Sequence, residues 1–559
     1  MNDKNRRLAI GVGAGILGIC IILACLGGIA YRYQDDLKAI LGLSPSKTIA
    51  EMLPEDTGLY VAFSPNIQSL PGYQNLKTLY LDNPEIQALF DEYESDINEG
   101  SDITYENDVK PWLGREVGMA VMNLAQTIND PSATPAVVVV AETNDQEASN
   151  NFINKVLTEA AAKDEPFTEE VYQDITLHLQ KNQSTDELSV LTTFNNFVVF
   201  SSDEALVKSM IDITQDSNQP SLVNNQHFQK ITAELPPESA LTFYMNFSTF
   251  IDAALEESAF QLPSEQVNDL ESFEAIGMAS TLQPDGIKID FVISYDLENM
   301  SERMKASLEQ PSSPNAILND IPADALFVYS LNNLNNVWQQ AKAGFESNPD
   351  FAEGLADLEQ ELGISIDEDV FSWMTGEFAL VLIKVTPTND FIPPLGGYVL
   401  IGTHDVDEAS SHVQNLVDSF GPGMPLEQQT IGDVEMNVFT DFNSEVQGGY
   451  GFYNNYFLLS YLEDSIIAAT SASQNPLTNS DNFKTIQNHL PGENYGYVYA
   501  DVDLGRQLVE DQLSDFERED YNKNVRPFLE PIRAFGGAAS TEGTDRGVSK
   551  GSFFFLITE

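Results

Sequence analysis

Residues 188–201 read LSVLTTFNNFVVFS, two apolar runs set against each other across Asn195-Asn196. Asparagine tolerates positive φ better than most residues, so this pair predicts a two-residue hairpin turn, and strands joined by a hairpin are antiparallel. The pattern returns as Tyr453-Asn454-Asn455-Tyr456, and Pro284-Asp285-Gly286 marks a further tight turn. Alternating apolar positions, such as Ile175, Leu177 and Leu179 or Val434, Met436 and Val438, mark strands with one buried face. Helical spacing interleaves with them over Ala148–Ala162, Glu204–Ile213, Phe351–Leu362, Glu408–Phe420 and Asp464–Ala472. The expected class is therefore α+β, a mainly antiparallel sheet with helices packed on one face.

The Asn-Asn turn is one member of a longer repetition. Leu53-Pro54 followed by LYVAFS matches Ile321-Pro322 followed by LFVYSL at an offset of 268 residues. Asp108-Val109-x-x-Trp112 matches Asp369-Val370-x-x-Trp373, and Glu147-Ala148-Ser149 matches Glu408-Ala409-Ser410, both at 261. The Asn-Asn turns follow at 259, Leu235-Pro236 and Leu490-Pro491 at 255, and Gly277 pairs with Gly536. Matches that keep their order while the offset drifts by a few residues imply two tandem copies of one fold. The expected copies are residues 46–310 and 315–559, joined by the stiff linker 311–314, Pro-Ser-Ser-Pro.

Ahead of the first copy, Leu8 to Ala30 carry no charge, long enough as a helix to cross a hydrocarbon core. Lys4, Arg6 and Arg7 precede the run and Asp35 and Asp36 follow it. That bias predicts a cytoplasmic N-terminus (residues 1–7), a single transmembrane helix (8–30) contacting membrane lipid, a juxtamembrane linker (31–45), and the bulk of the chain outside, in the periplasm or at the cell surface. Ile22-Leu23-Ala24-Cys25 also resembles a degenerate lipoprotein box, so lipid attachment at Cys25 is the alternative anchor. Gly13-x-Gly15-x-x-Gly18 has dinucleotide-loop spacing but lies inside the apolar run, where a phosphate-cradling loop cannot form.

The 559 residues contain 86 acidic and 27 basic side chains, a net charge of −59, which repels phosphate backbones and argues against a nucleic-acid partner. Both cysteines, Cys20 and Cys25, sit in the apolar run, leaving none outside for a disulfide, a zinc thiolate or a nucleophile. Trp112 and Trp373, at matching positions, read as buried anchors with Asp108 and Asp369 capping the short helix before each. None of His178, His227, His404, His412 and His489 recurs between the copies. His404, Glu408 and His412 have metal-site spacing if His404 is helical, against which Asp405 and Asp407 look like a cap preceding the helix. Asp96-x-Asn98-x-Gly100-x-Asp102 faintly resembles a calcium loop, lacking glycine at its sixth position and an acid at its twelfth. Carboxylates suited to glycosidase chemistry are too numerous for any pair to be nominated. No catalytic, cofactor-binding or metal-ligating residue is assigned, and no cofactor.

The N-terminal apolar segment, the Leu53-Pro-Glu-Asp-Thr57 opening and Asp108-Val-Lys-Pro-Trp-Leu-Gly114 together resemble the uncharacterised bacterial membrane-anchored family catalogued as domain of unknown function 3352. The second copy departs from the motif, with Phe371-Ser372 in place of Lys-Pro. The resemblance implies a bacterial envelope protein and brings no activity or active-site residues. The expected function is a non-enzymatic binding or envelope-organising module with an unidentified envelope protein or ligand as partner. The alternatives are an envelope hydrolase of glycan or peptide, and a cation or small-ligand sensor.

Overall fold

In the computed structural model of the protein the described residues are 48–559 apart from 65–66, 90–102, 124–125, 127–134, 182–187, 217, 249, 252–263, 309–314, 348, 387–393, 420–425, 433 and 441–445. The apolar run 8–30, the linkers 31–45 and 311–314, and the calcium-like stretch 96–102 lie outside them. Among the described residues no helix is long and apolar enough to cross a membrane.

Among the described residues ten strands precede residue 300: β1 (Leu59–Phe63), β2 (Leu113–Met122), β3 (Ala136–Thr143), β4 (Thr168–Tyr172), β5 (Ile175–Lys181), β6 (Leu188–Phe194), β7 (Phe197–Ser201), β8 (Leu241–Asn246), β9 (Phe273–Gln283) and β10 (Gly286–Tyr295). Ten follow: β11 (Phe327–Leu331), β12 (Met374–Lys384), β13 (Leu395–Thr403), β14 (Glu427–Ile431), β15 (Val434–Thr440), β16 (Val446–Tyr453), β17 (Tyr456–Tyr461), β18 (Val498–Asp501), β19 (Ile532–Ser540) and β20 (Val548–Ile557). Every pairing between them is antiparallel. Across the sheet the order is β4-β5-β6-β7-β3-β2-β1-β8-β9-β10, and then β20-β19-β18-β11-β12-β13-β17-β16-β15-β14.

This order reads the same from either end, because strands at matching chain positions occupy matching places about the central β10–β20 pair. The register there is itself two-fold: Gly286 faces Leu556 and Ser294 faces Val548, with Asp290 opposite Ser552 at the centre. The two halves thus join edge to edge into one sheet of twenty strands. Its outer strands, TEEVY and EQQTI, carry Glu169, Glu170 and Glu427, charges that discourage pairing with further chains.

The Asn-Asn turns form as their chemistry dictates: Phe194 pairs with Phe197 around Asn195 (φ 49°) and Asn196 (φ 64°), and Tyr453 with Tyr456 around Asn454 (φ 52°). Helices start where a short polar side chain caps them, Asp145 on the Ala148 N–H, Asp203 on Leu206, Asn225 on Phe228 and Ser480 on Phe483.

Helices cover both faces of the sheet, not one as the sequence suggests. On one face the helices Glu204–Gln215 and Gln226–Thr232 bury Val190, Phe197 and Val199, and Glu463–Ser471 with Asp481–His489 do the same in the second half. On the other face the helix Gln146–Ala162 buries the alternate residues Leu191 and Val198 with Trp112, while Val406–Ser419 packs on Trp373. Neighbouring residues Phe197–Phe200 of β7 are therefore apolar in both directions, a continuous run that cannot say how many faces are covered. Equivalent edge-to-face pairs, Phe228 on Tyr244 (5.0 Å, 83°) and Phe483 on Tyr499 (5.4 Å, 83°), tie the first-face helices to β8 and β18.

Candidate functional site

The helices Gln226–Thr232 and Asp481–His489 lie close on the sheet because Gly277 and Gly536 sit beneath them. A Cβ at Gly277 would come within 2.2 Å of Ile231, and one at Gly536 within 2.5 Å of Ile486. Each helix is followed by the retained Leu-Pro, Leu235-Pro236 and Leu490-Pro491. These two corners face each other across the junction and wall a cavity of about 590 Å³ whose floor is β10 and β20.

The floor presents two matching side chains from each side of the two-fold. Lys288 and Lys550 occupy matching positions, as do Asp290 and Ser552, and all four line the cavity. The Ser552 hydroxyl donates to Asp290 Oδ1 at 2.6 Å, and the Lys288 ammonium sits 2.8 Å from the same oxygen. Lys550 pairs with Glu234, which Arg546 also reaches at 2.5 Å. The Lys550 ammonium, and after it the Arg546 guanidinium, hold the Glu234 carboxyl below the usual carboxylate range. On the opposite wall His489 Nε2 lies 3.0 Å from Asp285 Oδ2. Its ring stacks on Phe554 at 3.8 Å and 11°.

Glu493 and Glu542 complete the rim. Their segments run side by side through the Asn494–Ser540 bridge and the Thr541 N–H on the Glu493 carbonyl. Buried Asn494 fixes the corner, its amide donating to the Pro491 carbonyl at 2.8 Å and its oxygen accepting the Gly496 N–H at 3.0 Å. The corner is thus held by its own hydrogen bonds, and the Glu493 and Glu542 side chains stand exposed on it.

Apart from His489 and the two Leu-Pro corners, the residues singled out in the sequence lie elsewhere. Trp112 and Trp373 are 3% and 4% exposed, and their indole N–H groups donate to the Asp108 and Asp369 carbonyls at 2.7 and 3.2 Å. The helix caps are Thr104 and Ser365, not the aspartates. Asp108 and Asp369 instead accept the Thr104 and Ser365 N–H groups, each at 2.7 Å, because they stand four residues inside the turn that those residues open. Desolvation opposes ionisation of Asp108, yet Lys155 and the Thr104 N–H outweigh it and lower its pKa. His404 precedes the helix Val406–Ser419, and Asp405 caps it by accepting the Asp407 and Glu408 N–H groups. His412 lies 3.5 Å from Asp369, His178 3.9 Å from Glu169 and His227 3.6 Å from Glu274. Among the described residues no three His, Cys, Asp or Glu side chains are grouped to hold a metal ion.

Two half-buried glutamates escape a reading of the sequence because acids are so common in it. Glu116 accepts the Tyr60 hydroxyl at 2.8 Å and the Ile49 N–H at 3.2 Å. Its counterpart Glu377, again 261 residues on, accepts the Tyr456 hydroxyl at 3.3 Å and the Ala316 and Ile317 N–H groups. Burial raises both pKa values against these hydrogen bonds. Both tie a short helical turn to the sheet. The cavity had a signal that the repeat already held, since Leu-Pro and the lysines of β10 and β20 are retained between halves.

No curated protein matches the chain. Among solved structures, crystal form I of TP0453 is 10% identical over 48% of this chain and 84% of that one, with a TM-score of 0.25. Crystal form IV is 12% identical over 45% and 81%, with a TM-score of 0.24. The family model described as a protein of unknown function (DUF3352) matches residues 16–557, nearly the full length, and the chain belongs to that family.

Proposed function

We propose that the protein is a non-enzymatic binding module, tethered to the membrane by residues 8–30 with residues 46–310 and 315–559 outside, that takes its ligand in the cavity between its two halves. The observation that carries this reading is the cavity's position: both halves contribute the same Leu-Pro corner and the same lysine to it. Its volume lies within the range of small-ligand pockets, and a few polar groups converge on it from fixed backbone. Duplication supplies two walls that neither half has alone. The charge and the anchor support an envelope setting rich in cations, with nucleic acid unsuited as partner.

Site-specific photocrosslinking in the native membrane tests it. A photoreactive residue replacing Asn488 inside the cavity should give an adduct that one replacing exposed Glu427 on the outer strand does not. Equal labelling at both positions, or none at Asn488, would overturn the proposal.

A further inference from the structure

The geometry points to a small organic cation, an amine carried on a methylene chain, as the ligand of the junction cavity. This rests on the reading of the cavity as a binding site and adds the chemistry of what enters it.

Four carboxylates and two ammonium groups line the cavity. Asp290 is taken by Lys288 and Ser552, and Glu234 by Lys550 and Arg546. Both lysines are thereby neutralised and offer an anion little. Glu493 and Glu542 remain, adjacent on one rim and joined to no cation in an ion pair among the described residues. A ligand ammonium placed between them would have two carboxylates to accept its hydrogens, with the carbonyl and hydroxyl of Ser540 close by on the same edge.

The rest of the wall suits what an amine carries. Leu235, Pro236, Leu490 and Pro491 present apolar edges from both sides, along which methylene groups can lie. A bare divalent metal is a poorer fit, since it needs several converging oxygens and here meets two ammonium groups on the floor. The field of a chain with net charge −59 draws cations toward every opening and raises their local concentration. The cavity differs from the general acidic surface in having walls, and that difference is testable.

Gly492 provides the means. It lines the cavity, and a Cβ there would meet nothing within 4 Å, so Gly492→Trp adds a large side chain at the cavity wall without a backbone clash. Full-length protein in detergent is titrated with spermidine by calorimetry at about physiological ionic strength, where diffuse attraction is screened. Triethylene glycol and glutarate serve as neutral and anionic probes. The expected result is saturable spermidine binding that weakens by about tenfold or more in Glu493→Gln/Glu542→Gln. Gly492→Trp should abolish it, and Asp515→Asn/Glu519→Gln on a distant helix should leave it unchanged. Spermidine binding that survives Gly492→Trp, or falls equally in the distant variant, overturns the proposal. If glutarate or the glycol binds instead and Gly492→Trp blocks it, the cation is wrong while the cavity stands as a site. If Gly492→Trp also leaves the Asn488 photoadduct unchanged, the cavity reading falls with it.

Discussion

Glu234 and His489 hold the same place in the two halves, yet each crosses the junction with opposite polarity, the acid to Arg546 and the imidazole to Asp285. The two contacts should not weigh alike. Arg546 is 57% exposed, so its pairing is screened by solvent and Arg546→Ala should leave the denaturation midpoint nearly unchanged. His489 covers the fully buried Phe554, and His489→Ala should cost about 1–2 kcal/mol by urea denaturation.

Glu274 sets an acid limit on the first half. Burial opposes its ionisation, but His227 and Lys230 prevail and pull its pKa from the ordinary 4.5 to about 2. A lowered folded-state value means that the stabilisation is complete above pH 4.5 and fades as pH falls towards 2. Glu274→Gln should therefore destabilise by about 1–3 kcal/mol at neutral pH, with the gap between variant and parent closing over that window. A constant gap on acid titration would contradict this.

Glu116 and Glu377 carry the opposite sign. Burial raises both, so the folded state favours the protonated acid, and ionisation above the ordinary value costs stability as pH rises. Glu116→Gln and Glu377→Gln keep an acceptor for the Ile49 and Ile317 N–H groups. They should raise the denaturation midpoint at neutral pH and lose that advantage near pH 4.

Trp112→Ala and Trp373→Ala should each cost about 3–5 kcal/mol, since each empties a buried site and leaves a carbonyl without its donor. Gly536→Val should cost about 1–3 kcal/mol by forcing the overlying helix outward. It should also weaken any cavity ligand, because that helix ends in the wall. Denaturation and calorimetry on the same samples separate the two effects.

Membrane sidedness is read by thiol labelling of intact cells. With Cys20 and Cys25 replaced by serine, an impermeant maleimide should label Phe516→Cys, a position 86% exposed, and leave Asn2→Cys unlabelled until the cells are opened. Labelling of both in intact cells would refute a cytoplasmic N-terminus.

Local chemistry made much of the fold legible. The Asn-Asn pairs announced antiparallel hairpins, and the sheet is antiparallel throughout. Helix positions followed from apolar spacing, with ends shifted where a cap such as Asp145 or Asp405 sets the start. Coverage of both faces was not legible, because the run Phe197–Phe200 in β7 has no polar side to count from. The caps before the tryptophans were misassigned because Thr104 and Asp108 are both capping types, and geometry alone tells which receives the amide. The β10–β20 joint had no sequence signal of its own, since edge pairing is a property of register. The cavity follows from that joint, so its residues were visible as repeats and silent as a site.

The strand that fills the middle of the sheet is the last of the twenty to leave the ribosome. Until residues 548–557 are made, β10 has an open edge and the second half lacks its border strand. A nascent or clipped chain ending before Val548 would thus expose two hydrogen-bonding edges, each built to pair with β20, and crowded copies could satisfy them between molecules. Closure of the sheet therefore waits on β20, and a chain stopped short of it carries its adhesive edges uncovered.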